Sequence, residues 1–280
     1  MLAISLALTA SLSWGFADFL GGIKSRGLPL LTVILFSQVA GLTLAAAIVA
    51  VSGHDIPGGG FAFWAALSAL AGLSGLAAFY RGLAVGAMAV VAPISGLAAG
   101  VPVLFGLLTG ERPSAAQGAG IVLALAGVGL ASRERAPEDP ESTRLAAGVG
   151  LALLAALGFG GFFVLMKQAS DPDPLWAILA NRVAGVTLLL AVAAAARPRV
   201  ALPAVQSSQL VTIGLLDVGA NALYAVATRH GLVSVVAVVA SLYPVVVVAL
   251  AHLVLNERLR ASQAAGVVLA LAGVALITAG

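Results

Sequence analysis

Cysteine is absent from the chain, which excludes disulfides, thiolate metal sites and cysteine nucleophiles together and leaves the redox compartment undetermined. Charge is nearly as scarce. Asp, Glu, Lys and Arg make up 9% of the 280 residues, against about 25% in a soluble domain. The three histidines, His54, His230 and His252, show no HExxH spacing, and neither a P-loop nor a G-x-S-x-G elbow is present. Nothing specific therefore supports an enzyme, and no cofactor or metal is expected. The formal net charge is +3, yet the basic residues lie scattered at the ends of apolar runs and form no stretch with interleaved aromatics. That argues against a nucleic-acid partner.

What is present is apolar and duplicated. Hydrophobic residues make up 61% of the chain and glycine is abundant at 33. Residues 110–131 read GERPSAAQGAGIVLALAGVGLA and residues 256–277 read NERLRASQAAGVVLALAGVALI, identical at 14 of 22 positions at an offset of 146. Each copy is a Glu-Arg pair, a Gln six residues after the Glu, and a small-residue apolar run long enough to cross a bilayer. The repeat extends backwards. Residues 6–16 (LALTASLSWGF) resemble 151–161 (LALLAALGFGG), and 39–44 (VAGLTL) resemble 183–188 (VAGVTL).

A membrane-spanning helix needs about 20 mostly apolar residues. Ten such runs lie near 2–22, 30–52, 61–82, 86–108, 114–132, 146–166, 175–196, 208–228, 233–254 and 261–279. The first basic residue is Lys24, so the opening run lacks the positive start of a cleaved signal peptide and reads as a retained span. The most charged stretch, RERAPEDPESTR at 133–144, separates the halves. The expected fold class is an all-α membrane protein of ten transmembrane helices arranged as two five-helix repeats, 1–132 and 146–280, joined by a linker at 133–145. An odd number of spans per repeat sets the halves in opposite orientations, and in such inverted repeats the ligand site lies near the midplane where they meet. With the N-terminus cytoplasmic, three loop Lys or Arg fall inside and ten outside, so charge bias favours termini outside.

Ionisable side chains deep in a bilayer cost about 2.5 to 3.5 kcal/mol on insertion scales, so each one kept there is a candidate site residue. Asp217 lies near the middle of the eighth run, with Asn221 and Tyr224 at i+4 and i+7 on one helical face. It reads as a proton-coupling carboxylate or substrate ligand, or else as a structural carboxylate bound to a neighbouring helix. Asp18 shares a face of the first run with Trp14 and Ser11 and lies close enough to its end to reach headgroup water; Trp14 can line a cavity or anchor the interface. Arg182, in the seventh run beside Asn181, has the neutral Gln38 as its repeat mate. It can pair with Asp217 or Asp18, hold an anion, or snorkel to the interface. Tyr80 closes the third run and can stack on a ligand, although the interface is the simpler reading. Ser95 and Ser241, within the fourth and ninth runs, serve their own backbone more often than a ligand.

Prolines recur in two counterpart runs: Pro93 and Pro102 in the fourth, Pro244 in the ninth. A helix-interior proline frees a carbonyl and permits bending, so these are the candidate hinges. The Glu111-Arg112 and Glu257-Arg258 pairs fall at helix joints, where the carboxylate can serve the N-terminus of the next helix. Runs such as Gly118-Ala-Gly120 and the residues around Gly273 permit close helix packing, within one chain or at a dimer face.

The GER and NER joints with their Gln117 or Gln263 and LALAGV runs, VVAPI at 90–94 and RHGLVSVVAVVASLYPV at 229–245 resemble the EamA-type branch of the drug/metabolite transporter superfamily. The resemblance implies ten helices in a basket-like inverted repeat around a central cavity, alternating access, cytoplasmic termini and movement of small metabolites, often outward. This chain departs from the pattern: the tryptophan expected at the start of each repeat is Trp14 in the first and Phe159 in the second, and the second-helix arginine survives only as Arg182. The expected function is secondary transport, in the export direction, of a small polar metabolite such as an amino acid, with protons as the coupling ion on Asp217 or Asp18. A passive facilitator of the same fold and a non-transporting interaction or sensor subunit are the alternatives. Expected partners are the substrate, the lipid bilayer and protons; the chain is a monomer or homodimer, multi-pass in a bacterial inner (plasma) membrane.

Overall fold

The structure, a computed structural model, describes residues 1–85, 95–131, 142–196, 204–255 and 261–279. Among them every regular element is a helix. In chain order these are α1 (Leu2–Ser25), α2 (Leu30–Ser52), α3 (Phe61–Val85), a 3-10 turn (Leu97–Ala99), α4 (Gly100–Leu108), α5 (Ala115–Ala131), α6 (Ser142–Ser170), α7 (Pro174–Ala196), α8 (Ala204–Ala227), α9 (Val233–Ala240), α10 (Tyr243–Leu255) and α11 (Ala261–Ala279). Among the described residues, six helices are long and apolar enough to cross a membrane: α1, α2, α3, α6, α7 and α8. Shorter apolar helices occupy the fourth, fifth, ninth and tenth places.

A helix that is apolar all round must be buried in protein or lipid. Here side-chain size sorts the two faces. Inward positions carry alanine, as at Ala7, Ala10, Ala65, Ala152, Ala155 and Ala220, all 0% exposed. Leucines such as Leu104, Leu108, Leu157, Leu190 and Leu253 stay exposed on the outer face. In water such an outer face would be an aggregation liability, whereas in lipid it is the contact surface.

Small residues also set how close the helices come. α3 packs along α6 where Gly75 faces Gly158; a Cβ on Gly158 would lie 2.6 Å from Gly75 Cα. α5 packs along α11 in the same manner, a Cβ on Gly127 meeting Ala270 Cα at 2.7 Å. Gly120, Ala270 and Gly273 are therefore used within one chain, while Gly118 faces open space.

The main packing partners come from opposite halves of the sequence. α1 lies on α8 while α3 lies on α6, and α2 lies on both α7 and α8. Consequently the inner faces of α1, α2, α7 and α8 meet at the centre.

Two places depart from the expected runs. The ninth is broken: α9 ends at Ala240, and Ser241 and Leu242 form a turn before α10. Pro244 is the second residue of α10, so it has no N–H to offer the Ala240 carbonyl that a continuous helix would bond. In the fourth, the 3-10 turn precedes α4 and Pro102 is the third residue of that helix. Pro93, the VVAPI stretch and the Glu257-Arg258 pair lie outside the described residues, as does most of the expected linker, whose last residues belong instead to α6.

Candidate functional site

A cavity opens between α1, α2, α3, α6, α7, α8 and α10, in the kind of place between helices where small-molecule sites occur. Trp14 and Asp18 enter it from α1, Gln38 from α2, Ser68 from α3, Asn181 and Arg182 from α7, and Asp217 and Asn221 from α8. Phe159, Phe162 and Phe163 of α6 and Tyr243 of α10 complete an aromatic wall. Helical spacing explains the pairs: Trp14 and Asp18, like Asp217 and Asn221, are four apart and project from one face.

Asp217 is held on every side. Its Oδ1 accepts from Trp14 Nε1 at 3.1 Å, its Oδ2 from Gln38 Nε2 at 3.3 Å, and Arg182 Nη2 forms an ion pair with Oδ2 at 2.8 Å. Arg182 Nη1 also donates to Gln38 Oε1. Four side chains from four helices thus form one network, which is how a charged pair becomes tolerable away from water. Of the alternatives open to Arg182, the structure realises the pair with Asp217; at 2% exposure the side chain does not snorkel. Its Nε has no hydrogen-bond partner among the described residues, and its Nη2 meets Asp217 as an ion pair without hydrogen-bond geometry.

Asp18 is treated differently. It is 8% exposed, so it does not reach headgroup water, and Tyr80 Oη donates to its Oδ1 at 3.4 Å. Among the described residues no cationic side chain pairs with it. The interfacial reading of Tyr80 is corrected here. α3 continues past it to Val85, and the ring is 2% exposed in a space kept open by Gly21, where a Cβ would lie 2.9 Å from Tyr80 Cε2.

Tyr224 lies behind the cavity rather than in its lining. Its hydroxyl donates to Phe163 O at 3.0 Å, and its ring packs on Phe163 at 4.8 Å and Trp14 at 5.9 Å between centroids. It thereby fixes the indole that donates to Asp217. Asn181 similarly ties α7 to α3, donating to Ser68 Oγ at 2.8 Å.

Sequence reasoning passed over Gln38, Ser68, Phe162, Phe163 and Tyr243 as site residues. Gln38 had a usable signal, since the sequence repeat matches it to Arg182, which it meets. Phe159, matched to Trp14, also lines the cavity.

Glu111 serves a different helix from the one expected. α4 ends with Gly110 at φ 95°, Glu111 N bonding Gly106 O at 2.8 Å and Gly110 N bonding Leu107 O at 3.2 Å. This is a Schellman turn, which requires a left-handed residue at that glycine. The turn sends the Glu111 carboxylate to α9, where Oε1 accepts from Val233 N at 2.7 Å and Oε2 from Ser234 N at 3.1 Å. A carboxylate there satisfies two orphan N–H groups and complements the helix dipole. The next helix, α5, is capped by Ser114, whose Oγ accepts from Gln117 N at 3.1 Å while Gln117 Oε1 accepts from Ser114 N at 3.0 Å.

Known proteins were compared with this chain. A solved structure described as "Crystal structure of protein" is similar over 99% of this chain and 96% of its own, with a TM-score of 0.81 and 20% identity. At that identity the likeness is one of fold. No curated protein matches the chain. The model of the EamA-like transporter family matches residues 1–133 and again 146–279. With six long apolar helices around a central polar cavity, this double match over nearly the whole length establishes the chain as a multi-pass integral membrane protein belonging to the EamA-like transporter family.

Proposed function

We propose that the protein is a secondary active transporter that moves a small organic metabolite by alternating access between two inverted five-helix repeats. Residues 1–132 form one repeat and 146–280 the other, with ten spans in all, in a bacterial inner membrane and in the export direction. The cross-packing of α1 on α8 and α3 on α6, together with the four shorter helices at matching places, supports that arrangement.

The observation that carries the reading is the cavity itself, which holds a buried carboxylate with no countercharge among the described residues. A carboxylate in such a place needs a proton or a cation, and a group that alternates between the two can couple a gradient to substrate movement. Asp18 fits this role better than Asp217, whose oxygens already face Trp14, Gln38 and Arg182. The breaks beside Pro102 and Pro244 are the proposed bending points. Tyr243, which lines the cavity, directly follows the break before α10.

The test is flux into proteoliposomes of the purified protein, with pooled labelled amino acids, sugars and amines, with and without an imposed pH gradient. Accumulation that follows the gradient is the expected result. Equilibration indifferent to the gradient would make the protein a passive facilitator with purely structural aspartates. No flux from any pool would favour an interaction or sensor subunit.

A further inference from the structure

Taking the transport reading as its premise, we infer that the cavity recognises its substrate through a cationic amino group set against Asp18, and that it has no place for a carboxylate. The preferred substrate class is a small organic monocation with an apolar body, ahead of zwitterions and anions.

Among the described residues, the charged acids and bases lining the cavity are Asp18, Arg182 and Asp217. Arg182 is engaged on Asp217 and Gln38, so the positive charge that would attract a carboxylate is already used inside the wall. Its remaining Nε lacks a hydrogen-bond partner but is sealed from the cavity, on a side chain 3% exposed. A carboxylate could reach the guanidinium only by displacing Asp217. With both acids ionised the lining retains one net negative charge, and it belongs to Asp18.

Shape and chemistry agree with that balance. Beside Asp18 stands the wall of Trp14, Phe159, Phe162, Phe163 and Tyr243. Aromatic faces attract organic cations and shelter an apolar body, and do so more strongly where water is excluded. A zwitterion would bring a carboxylate into the same space, near Asp217 and with no available donor of positive charge. Its ammonium gain on Asp18 would be offset by that desolvated anion. A neutral amphiphile would fit the wall and leave Asp18 uncompensated.

A matched series with one phenylethyl body isolates the charge: phenethylammonium, phenylalanine, 3-phenylpropionate and 2-phenylethanol, each titrated calorimetrically into the purified full-length protein. Phenethylammonium is expected to bind at least tenfold more tightly than the other three. In Asp18→Asn that preference should fall at least tenfold while 2-phenylethanol binds no more weakly than before, which also shows that the variant keeps its cavity. Equal or tighter binding of phenylalanine, or an unaltered preference in Asp18→Asn, overturns the inference. Flux of labelled phenethylammonium, measured against protein-free vesicles, separates the premise from the inference. Selective binding without flux upholds the site and removes the transport reading. Flux of zwitterions from the pooled panel with no preference for the cation upholds transport and removes the inference.

Discussion

Two aspartates share one cavity and live in different surroundings. Asp217 accepts from an indole and an amide and pairs with a guanidinium, whereas among the described residues Asp18 has one contact, from a phenol at 3.4 Å. Depth alone does not distinguish them. The less exposed of the two is Asp18, which is buried, while Asp217 is half-buried. What differs is the number of partners supplied by the protein. A buried carboxylate with a full set of donors is part of the frame, and one left short of them is available to a proton or a ligand.

The sharpest way to break this contrast is to strip Asp217 of its countercharge. Arg182→Ala should destabilise the folded protein in detergent by about 3–5 kcal/mol, because an uncompensated charge is left buried. Thermal unfolding would show it, and adding Asp217→Asn should restore a good part of the loss. Trp14→Phe removes one donor and keeps the ring stack on Tyr224 and Phe163, so about 1.5 kcal/mol is expected by the same measurement. Glu111→Gln acts at the far end of α9 from Tyr243 and weakens a charged helix cap, a loss of about 1 kcal/mol. It should lower substrate affinity on the Asp18 side while leaving the Arg182 network intact. Tyr80→Phe completes the series. Losing so long a bond should change stability by about 0.5 kcal/mol or less, while substrate affinity at Asp18 changes measurably in a binding titration. Comparable losses of stability for Tyr80→Phe and Trp14→Phe would erase the distinction between the two acids.

Much of this molecule is legible in its sequence, and the legible parts have a common physical origin. Apolar runs, the small-residue packing faces and the Glu-Arg repeat are properties of contiguous residues, so length, periodicity and self-similarity reveal them. The pairing of Arg182 was legible only as one of several options. Its choice of Asp217 depends on α2, α7 and α8 meeting, and the bonds involved join residues 144 and 179 positions apart. Glu111 makes the same point. Its place at a helix joint suggested a cap, yet the left-handed Gly110 turns it towards a helix 122 residues away. Tyr80 misled for a related reason: a tyrosine near the end of an apolar run fits the membrane interface equally well, and only the space beside Gly21 buries it. Gradation between two acids of like sequence context is set by neighbours from other helices, which no local pattern encodes.

The central claim is that Asp18 is the exchangeable group of the cavity and Asp217 a fixed one. The most direct measurement compares gradient-driven accumulation in proteoliposomes for Asp18→Asn and for the double variant Arg182→Gln with Asp217→Asn, which removes the ion pair without stranding either charge. The account predicts that Asp18→Asn abolishes accumulation and that the double variant keeps its dependence on the pH gradient. Accumulation that survives in Asp18→Asn and vanishes in a folded double variant would contradict it.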